Sequence, residues 1–239
     1  MSLVGREIIG LNQHFGPYVC KTIISDELHD ILLKVGHKIR KNKTLKKEND
    51  YRKRLAGNLK EEYSYANAFT EKQNQIVNEE LLWLASNYTK QAAQYFNHKG
   101  MALESHDILL QKPLWINYMK SGEWNPSHGH SGDISCVMYL KVPPEIEQEN
   151  KTTEISGKSN TPTAGRIELS YGDNIGYTSN GFMFTPKEKD ILIFPARLRH
   201  MVYPFTSKTE RISVSVNFSD KLNAKRNLGM LKFQLKNEI

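Results

Sequence analysis

Residues 115–140 read WINYMKSGEWNPSHGHSGDISCVMYL and contain two histidines, His128 and His130, separated by one glycine. In an extended strand, residues i and i+2 point to the same side, so both imidazoles would face one cavity. Neutral imidazoles bind divalent iron, zinc, copper or nickel. The pair therefore indicates a metal site, although hydrogen-bonded histidines beside a turn give the same pattern. Asp133 follows three positions later and is a further candidate ligand.

A second stretch downstream supplies another histidine and a polar strand face. His200 follows the apolar run 191–194, and residues 211–218 alternate strictly between polar and apolar side chains. Strict alternation predicts a strand whose two faces meet different surroundings. A wholly polar face on such a strand favours a lined cavity, in which an arginine can bind a carboxylate through two parallel hydrogen bonds. The residues of this face are Arg211, Ser213, Ser215 and Asn217.

This pattern resembles the iron(II)/2-oxoglutarate-dependent oxygenases. The order is His128-Gly-His130, then His200, then ten residues, then Arg211-x-Ser213. In that family the first three positions hold Fe(II), and the arginine and serine hold the distal carboxylate of 2-oxoglutarate. The resemblance implies the same roles for these five residues.

The upstream half of the pattern extends the resemblance. Asn117, Gly122 and His128 are spaced as in the alkylated-base repair members, whose asparagine contacts 2-oxoglutarate, which implies that contact for Asn117. The wider pattern is similar to a bacterial and phage subgroup of 2-oxoglutarate/Fe(II) oxygenases, and the resemblance covers about residues 108–218. The positions that carry it are Trp115, Asn117, Gly122, Asn125, His128, His130 and Pro143.

One position departs from the family. His130 stands where an aspartate or glutamate normally completes the two-histidine, one-carboxylate site. Three neutral ligands would leave more positive charge on the metal. Alternatively, Asp133 is the anionic ligand, or it orients His130 by a hydrogen bond. We favour His128, His130 and His200 as the ligands and keep Asp133 as the alternative.

The resemblance also implies a fold and a reaction. The expected fold is α+β, mainly β: a double-stranded β-helix, or jelly roll, with N-terminal helices packed on one sheet. The chain would be a single domain, 1–239, with a helical support region (1–105), a catalytic core (106–218) and a C-terminal tail (219–239). With Fe(II), 2-oxoglutarate and O₂, it would oxidise an unidentified substrate and release succinate and CO₂.

Local patterns predict the elements around the site. Ser25 is placed to cap one helix, and Thr70 begins a capping box for a second, with Gly100 as its C-terminal cap. We predict a surface loop at 145–165 and a hairpin at 171–182. Trp115, Trp124 and Tyr139 are candidates for the substrate mouth or for core. Strands are expected at 18–24, 108–118, 134–142, 166–171, 191–194 and 211–218.

Composition bounds the class of protein. The sequence has a net charge of +7, 38% hydrophobic residues and 25% charged residues, as in soluble globular proteins. It lacks the run of roughly 18 apolar residues that spans a membrane, and its N-terminus lacks a secretory pattern, so we expect a cytoplasmic protein. Cys20 and Cys136 are predicted to be separate reduced thiols.

Two other functions compete with the oxygenase. Gly122 followed by His128-x-His130 also fits the start of a cupin metal motif, so a cupin-like metal- or sugar-binding jelly roll is the main alternative. The usual glutamate after the second histidine is absent, however, and Arg211 would have no role. The basic run 38–60 allows a third interpretation, a nucleic-acid binder.

Overall fold

The computed structural model describes residues 9–10, 16–152, 159–173 and 179–224. Eleven strands are found there, and they form two antiparallel sheets. The strands are β1 Ile9–Gly10, β2 Cys20–Ile23, β3 Glu62–Ser64, β4 Ile108–Lys120, β5 Asn125–His128, β6 Ile134–Lys141, β7 Ile167–Ser170, β8 Gly181–Phe184, β9 Asp190–Pro195, β10 Arg199–Val202 and β11 Glu210–Asp220. The large sheet has the order β1-β2-β9-β6-β11-β4-β3, and the small sheet has the order β5-β10-β7-β8.

Four α-helices lie wholly within the described residues: α1 Asp26–Lys41, α2 Lys43–Glu48, α3 Glu71–Tyr95 and α4 Pro144–Thr152. The two predicted N-terminal caps are confirmed. Ser25 Oγ accepts the Leu28 amide at 3.0 Å. Thr70 and Gln73 form the full capping box at the start of α3. None of the described helices is long and apolar enough to cross a membrane.

Helices α1 and α3 pack on the outer face of the large sheet. Their buried residues join Ile212, Val214 and Val216 of β11 in one apolar cluster. The approach is close at Gly36, where an added Cβ would lie 2.5 Å from Ile116 Cδ1. The apolar half of the alternating strand therefore faces the helices, and its polar half faces the space between the sheets.

A second apolar cluster joins the two sheets on their inner faces. It includes Leu169 from the small sheet and Leu192 and Phe194 from the large sheet. Two sheets closed by such a core, with helices on one outer face, form a mainly β jelly roll. The predicted fold class is confirmed. β2 and β3, which come from the first 105 residues, are strands of the large sheet.

Two local predictions were wrong. The 145–165 insert is not wholly a loop, because α4 occupies its first part, with Glu149 accepting the Thr206 and Ser207 amides. Gly100 does not cap α3. The helix ends at Tyr95, and Asn97, at φ 49°, turns the chain in the left-handed conformation. The Asn97 amide donates a hydrogen bond to the Gln94 carbonyl, and the His98 amide donates one to the Ala93 carbonyl. These bonds satisfy carbonyls in the last turn of α3.

The predicted hairpin has paired arms, since β7 and β8 pair from Ile167 with Phe184 to Ser170 with Gly181. Residues 174–178 of its connection lie outside the described residues, as do 225–239 of the predicted tail. Cys20 and Cys136 are free and buried. Some of the basic run 38–60 is neutralised by ion pairs, in which Arg40 and Lys46 bind Glu61.

Candidate metal centre

Three histidines meet at the inner face of the small sheet. His200 on β10 pairs directly with His128, the last residue of β5. β5 ends there, so His130 reaches the same place from the following turn, where its amide donates to the Ala196 carbonyl at 2.7 Å. One ligand nitrogen from each of the three lies within 4.8 Å of the other two. That spacing allows one metal ion to bind all three.

Backbone hydrogen bonds orient two of these rings. His128 Nδ1 lies 2.7 Å from the Pro126 carbonyl, and His200 Nδ1 lies 2.9 Å from the Leu198 carbonyl. A carbonyl only accepts, so Nδ1 carries the hydrogen in both rings and Nε2 keeps a free lone pair. Metal-binding histidines are usually held in this way. The His130 ring instead lies against Trp115, with ring centroids 5.5 Å apart.

The three imidazoles are neutral at physiological pH. Burial, with a smaller contribution from the neighbouring His128, lowers the pKa of His130 to about 4 and that of His200 to about 3. Burial also lowers the pKa of His128. A histidine must be neutral to bind a metal, so the site does not have to lose protons first.

Arg211 lies in the same cavity as the three histidines. It is a buried cation, and it has no carboxylate partner among the described residues. Its side chain donates from Nη1 to the Gly165 carbonyl at 2.7 Å, and Nη2 lies 2.9 Å from Met119 Sδ. Nε has no partner, although the residue is only 3% exposed. Burial lowers the pKa of this guanidinium. Because an unpaired buried charge is costly, the arrangement fits an anionic ligand that supplies the missing partner.

Asn117, Ser213 and Tyr139 form one row across the sheet beside Arg211. Ser213 pairs with Asn117 on β4 and with Tyr139 on β6, so the three side chains share the inner face. Asn117 Oδ1 and the Tyr139 hydroxyl are buried without partners. These orphaned polar atoms, like the arginine Nε, are available to a ligand.

One cavity joins these groups to the histidines. The empty space in it, its open mouth included, is about 540 Å³. Arg211, Ser213 and Ser215 line it, whereas Asn217 accepts a hydrogen bond from Ser135. The lining includes Asn117, His128, His130, His200, Arg211, Ser213, Trp115 and Tyr139.

Asp133 is not brought into this cluster. Its Oδ2 accepts the Asp220 amide at 2.9 Å, at the end of β11. The preceding Gly132 makes the turn at φ 93°, and an added Cβ there would lie 2.7 Å from the Phe218 carbonyl. Asp133 thus lies against the end of the large sheet. Trp124 does not line the cavity either and is 37% exposed.

The sequence patterns did not single out Glu62, which lines the cavity from β3. Glu61 and Glu62 are consecutive acids, and nothing local distinguishes them. The pairing of Glu62 with Asn117 turns its side chain inward. Glu61 instead contacts three basic side chains: Arg40, Lys46 and Lys120.

Residues 113–217 match a family model described as "Putative 2OG-Fe(II) oxygenase". None of the curated proteins matches the chain. The match includes the three histidines, the arginine and Asn117. It agrees with the resemblance that the sequence motif predicted.

Solved structures of other proteins have a similar fold. One is the non-heme alpha ketoglutarate dependent carbocyclase SnoK from nogalamycin biosynthesis, with TM-score 0.53 and 11% identity over 87% of this chain and 81% of that chain. Another is AviO1 from Streptomyces viridochromogenes Tue57, with TM-score 0.52 and 10% identity over 87% of this chain and 91% of that chain. At such identities the likeness concerns the fold alone.

Proposed function

Since the family match and the fold both support a 2OG-Fe(II) oxygenase, we propose that this chain is a 2-oxoglutarate-dependent dioxygenase of the hydroxylase type. Its Fe(II) ligands are His128, His130 and His200. It oxidises a substrate with release of succinate and CO₂. One observation carries the proposal: three neutral imidazoles and a buried, unpaired Arg211 share a single cavity.

The donor set fits Fe(II). When bound, the metal supplies open coordination positions at which 2-oxoglutarate and dioxygen react. The Pro126 and Leu198 carbonyls hold two of the rings with their Nε2 lone pairs free. The three neutral ligands bring no negative charge. The negative charge that offsets that of Fe(II) would therefore come from 2-oxoglutarate.

Arg211 binds the distal carboxylate of 2-oxoglutarate. The Gly165 carbonyl fixes one end of its guanidinium and leaves Nε free to donate. Because Arg211 is shielded from water, its attraction for a carboxylate is stronger than that of an exposed arginine. Ser213 and Tyr139 offer hydroxyls on the same face, and Asn117 contributes a polar side chain from β4.

The cupin-like alternative gives this arginine no ligand. In a metal- or sugar-binding module without 2-oxoglutarate, no anionic ligand would offset the free-energy cost of burying Arg211. Replacing it separates the two functions: Arg211→Met weakens 2-oxoglutarate binding in an oxygenase and leaves metal binding unchanged in a cupin-like protein.

The test uses the full chain under anaerobic conditions. Adding Fe(II) and 2-oxoglutarate to the oxygenase gives the weak visible charge-transfer band of a chelated keto acid. On admitting air, succinate forms from 2-oxoglutarate. If neither the band nor succinate is observed, the oxygenase function is refuted.

A further inference from the structure

A buried carboxyl group lies in the same cavity as the histidines, and no hydrogen bond or ion pair to its side chain is found among the described residues. Glu62 is 1% exposed, and its Oε1 makes no hydrogen bond. No ion pair involves it among the described residues. It is also absent from the group of ligand atoms that lie within 4.8 Å of one another, so it is not part of the three-histidine cluster.

The sheet register sets Glu62 apart from Arg211. Glu62 lies on β3, the edge strand, and pairs with Asn117 on β4. Arg211 lies on β11, the strand beyond β4. Two strand spacings amount to about 10 Å. The cavity therefore has a cationic side and an acidic side, and a single small anion at Arg211 leaves Glu62 free.

An exposed segment of the cavity lining lies beside Glu62. The neighbouring chain, Leu55 to Gly57, is half-buried at Leu55 and exposed at Ala56, and both Leu55 and Ala56 line the cavity. A Cβ added to Gly57 would lie 3.5 Å from Glu62 Oε1. A molecule that enters past this loop meets the carboxyl group before it reaches the far side of the cavity.

No basic side chain among the described residues forms an ion pair with this carboxyl group. Burial, with a smaller contribution from the nearby Glu123, raises the pKa of Glu62 to about 7. Arg52 is the one nearby cation that opposes the shift, and its guanidinium is held by Asp50 at 2.9 Å. Folding therefore removes this carboxyl group from water, at a cost in free energy, and no contact with a cation offsets that cost.

We propose that Glu62 binds a protonated amino or guanidino group of the substrate that the oxygenase oxidises. The inference rests on the proposed function and names its substrate class. A cation supplies both the hydrogen-bond donors and the charge that Glu62 lacks, and charge-assisted bonds are roughly twice as strong as neutral ones. Glu62 thus selects the substrate, while Arg211 holds the co-substrate.

Matched small probes test this selection. Butylguanidinium and butylammonium are titrated calorimetrically into the metal-free full chain, with butan-1-ol as the uncharged probe of similar length. We expect the cations to bind at least about tenfold more tightly than the alcohol, as one charge-assisted hydrogen bond implies. Glu62→Gln abolishes that preference. The control Glu61→Gln also removes one carboxylate, from the neighbouring residue outside the cavity. This variant is expected to keep the preference for the cations.

A second variant does not depend on the folding of the first. Gly57→Ala adds a methyl group 3.5 Å from Glu62 Oε1 and 2.6 Å from Asn125 Nδ2, so the Asn125 side chain must shift. The variant is expected to weaken binding of the cations more than binding of the alcohol. The proposal is overturned if the wild-type protein shows no preference for the cations, or if the preference survives Glu62→Gln. Because these titrations use neither iron nor 2-oxoglutarate, their failure is separate from a failure of the proposed reaction.

Discussion

Replacing Arg211 with methionine should separate stability from function, because the two respond differently. In the metal-free protein the guanidinium is buried with no carboxylate partner among the described residues. Exchanging buried ionic groups for apolar ones is often neutral or stabilising by about 1–4 kcal/mol. The variant loses the hydrogen bond to the Gly165 carbonyl, which costs about 1 kcal/mol. The free energy of unfolding should therefore change by between about −1 and +3 kcal/mol.

Binding of 2-oxoglutarate should fall sharply in the same variant. A distal carboxylate would then be buried with no counter-ion, which costs about 3–5 kcal/mol. This corresponds to a dissociation constant roughly 10²- to 10³-fold higher. Calorimetric titration of the Zn(II)-loaded protein measures this constant, and urea unfolding of the metal-free protein measures stability.

Arg40 offers the matched control. Its guanidinium contacts Glu61 at 2.5 Å and Glu210 at 2.7 Å, on the helix side of the large sheet. Arg40→Met leaves both carboxylates without this partner and should lower the free energy of unfolding by about 1–3 kcal/mol. Its affinity for 2-oxoglutarate should not change. If Arg211→Met destabilises the protein as Arg40→Met does, or binds 2-oxoglutarate within about threefold of wild type, the reasoning is wrong.

Three further predictions concern the acids and histidines. Asp133→Asn should keep Zn(II) affinity, measured by competition with a chelator, since its carboxylate accepts the Asp220 amide instead of facing the cluster; a large loss of metal would make Asp133 a ligand. The free energy of unfolding of the metal-free protein should fall as pH decreases from 6.5 towards 4, by about 2–3 kcal/mol for His130 alone. The reason is that this histidine takes up a proton in the unfolded chain and excludes it in the folded chain. An unfolding free energy that does not fall over this pH range would contradict this. The free energy of unfolding of Glu62→Gln should rise relative to that of wild type by up to about 3 kcal/mol as pH increases from 4.5 to 7. The reason is that the pKa of Glu62 is raised in the folded protein, so its ionisation opposes folding. A difference in the free energy of unfolding that does not change with pH would contradict this.

Residues 211–218 show how much of the fold a local pattern can predict. Alternation has the period of a strand, so the split between Ile212, Val214 and Val216 on the helix side and Arg211 on the cavity side follows from the sequence alone. The helix starts at Ser25 and Thr70 were predictable for the same reason. A cap is a contact between residues three positions apart.

The site itself depends on contacts between distant parts of the chain. His200 meets His128 because β10 pairs with β5. No spacing rule predicts that register, and only the resemblance to a known family suggested it. Glu62 was missed because its inward orientation comes from pairing with Asn117. Helix α4 was missed because its polar Glu149 is buried by contacts with the Thr206 and Ser207 amides, which lie far along the chain.

The most direct test of the central claim is an anaerobic crystal structure of the full chain with Fe(II) and 2-oxoglutarate. We expect Nε2 of His128, Nε2 of His200 and one ring nitrogen of His130 to lie about 2.0–2.2 Å from the metal, as for other imidazole ligands, with the distal carboxylate of 2-oxoglutarate against Arg211. Iron held by Asp133 in place of His130, or a distal carboxylate bound away from Arg211, would contradict it.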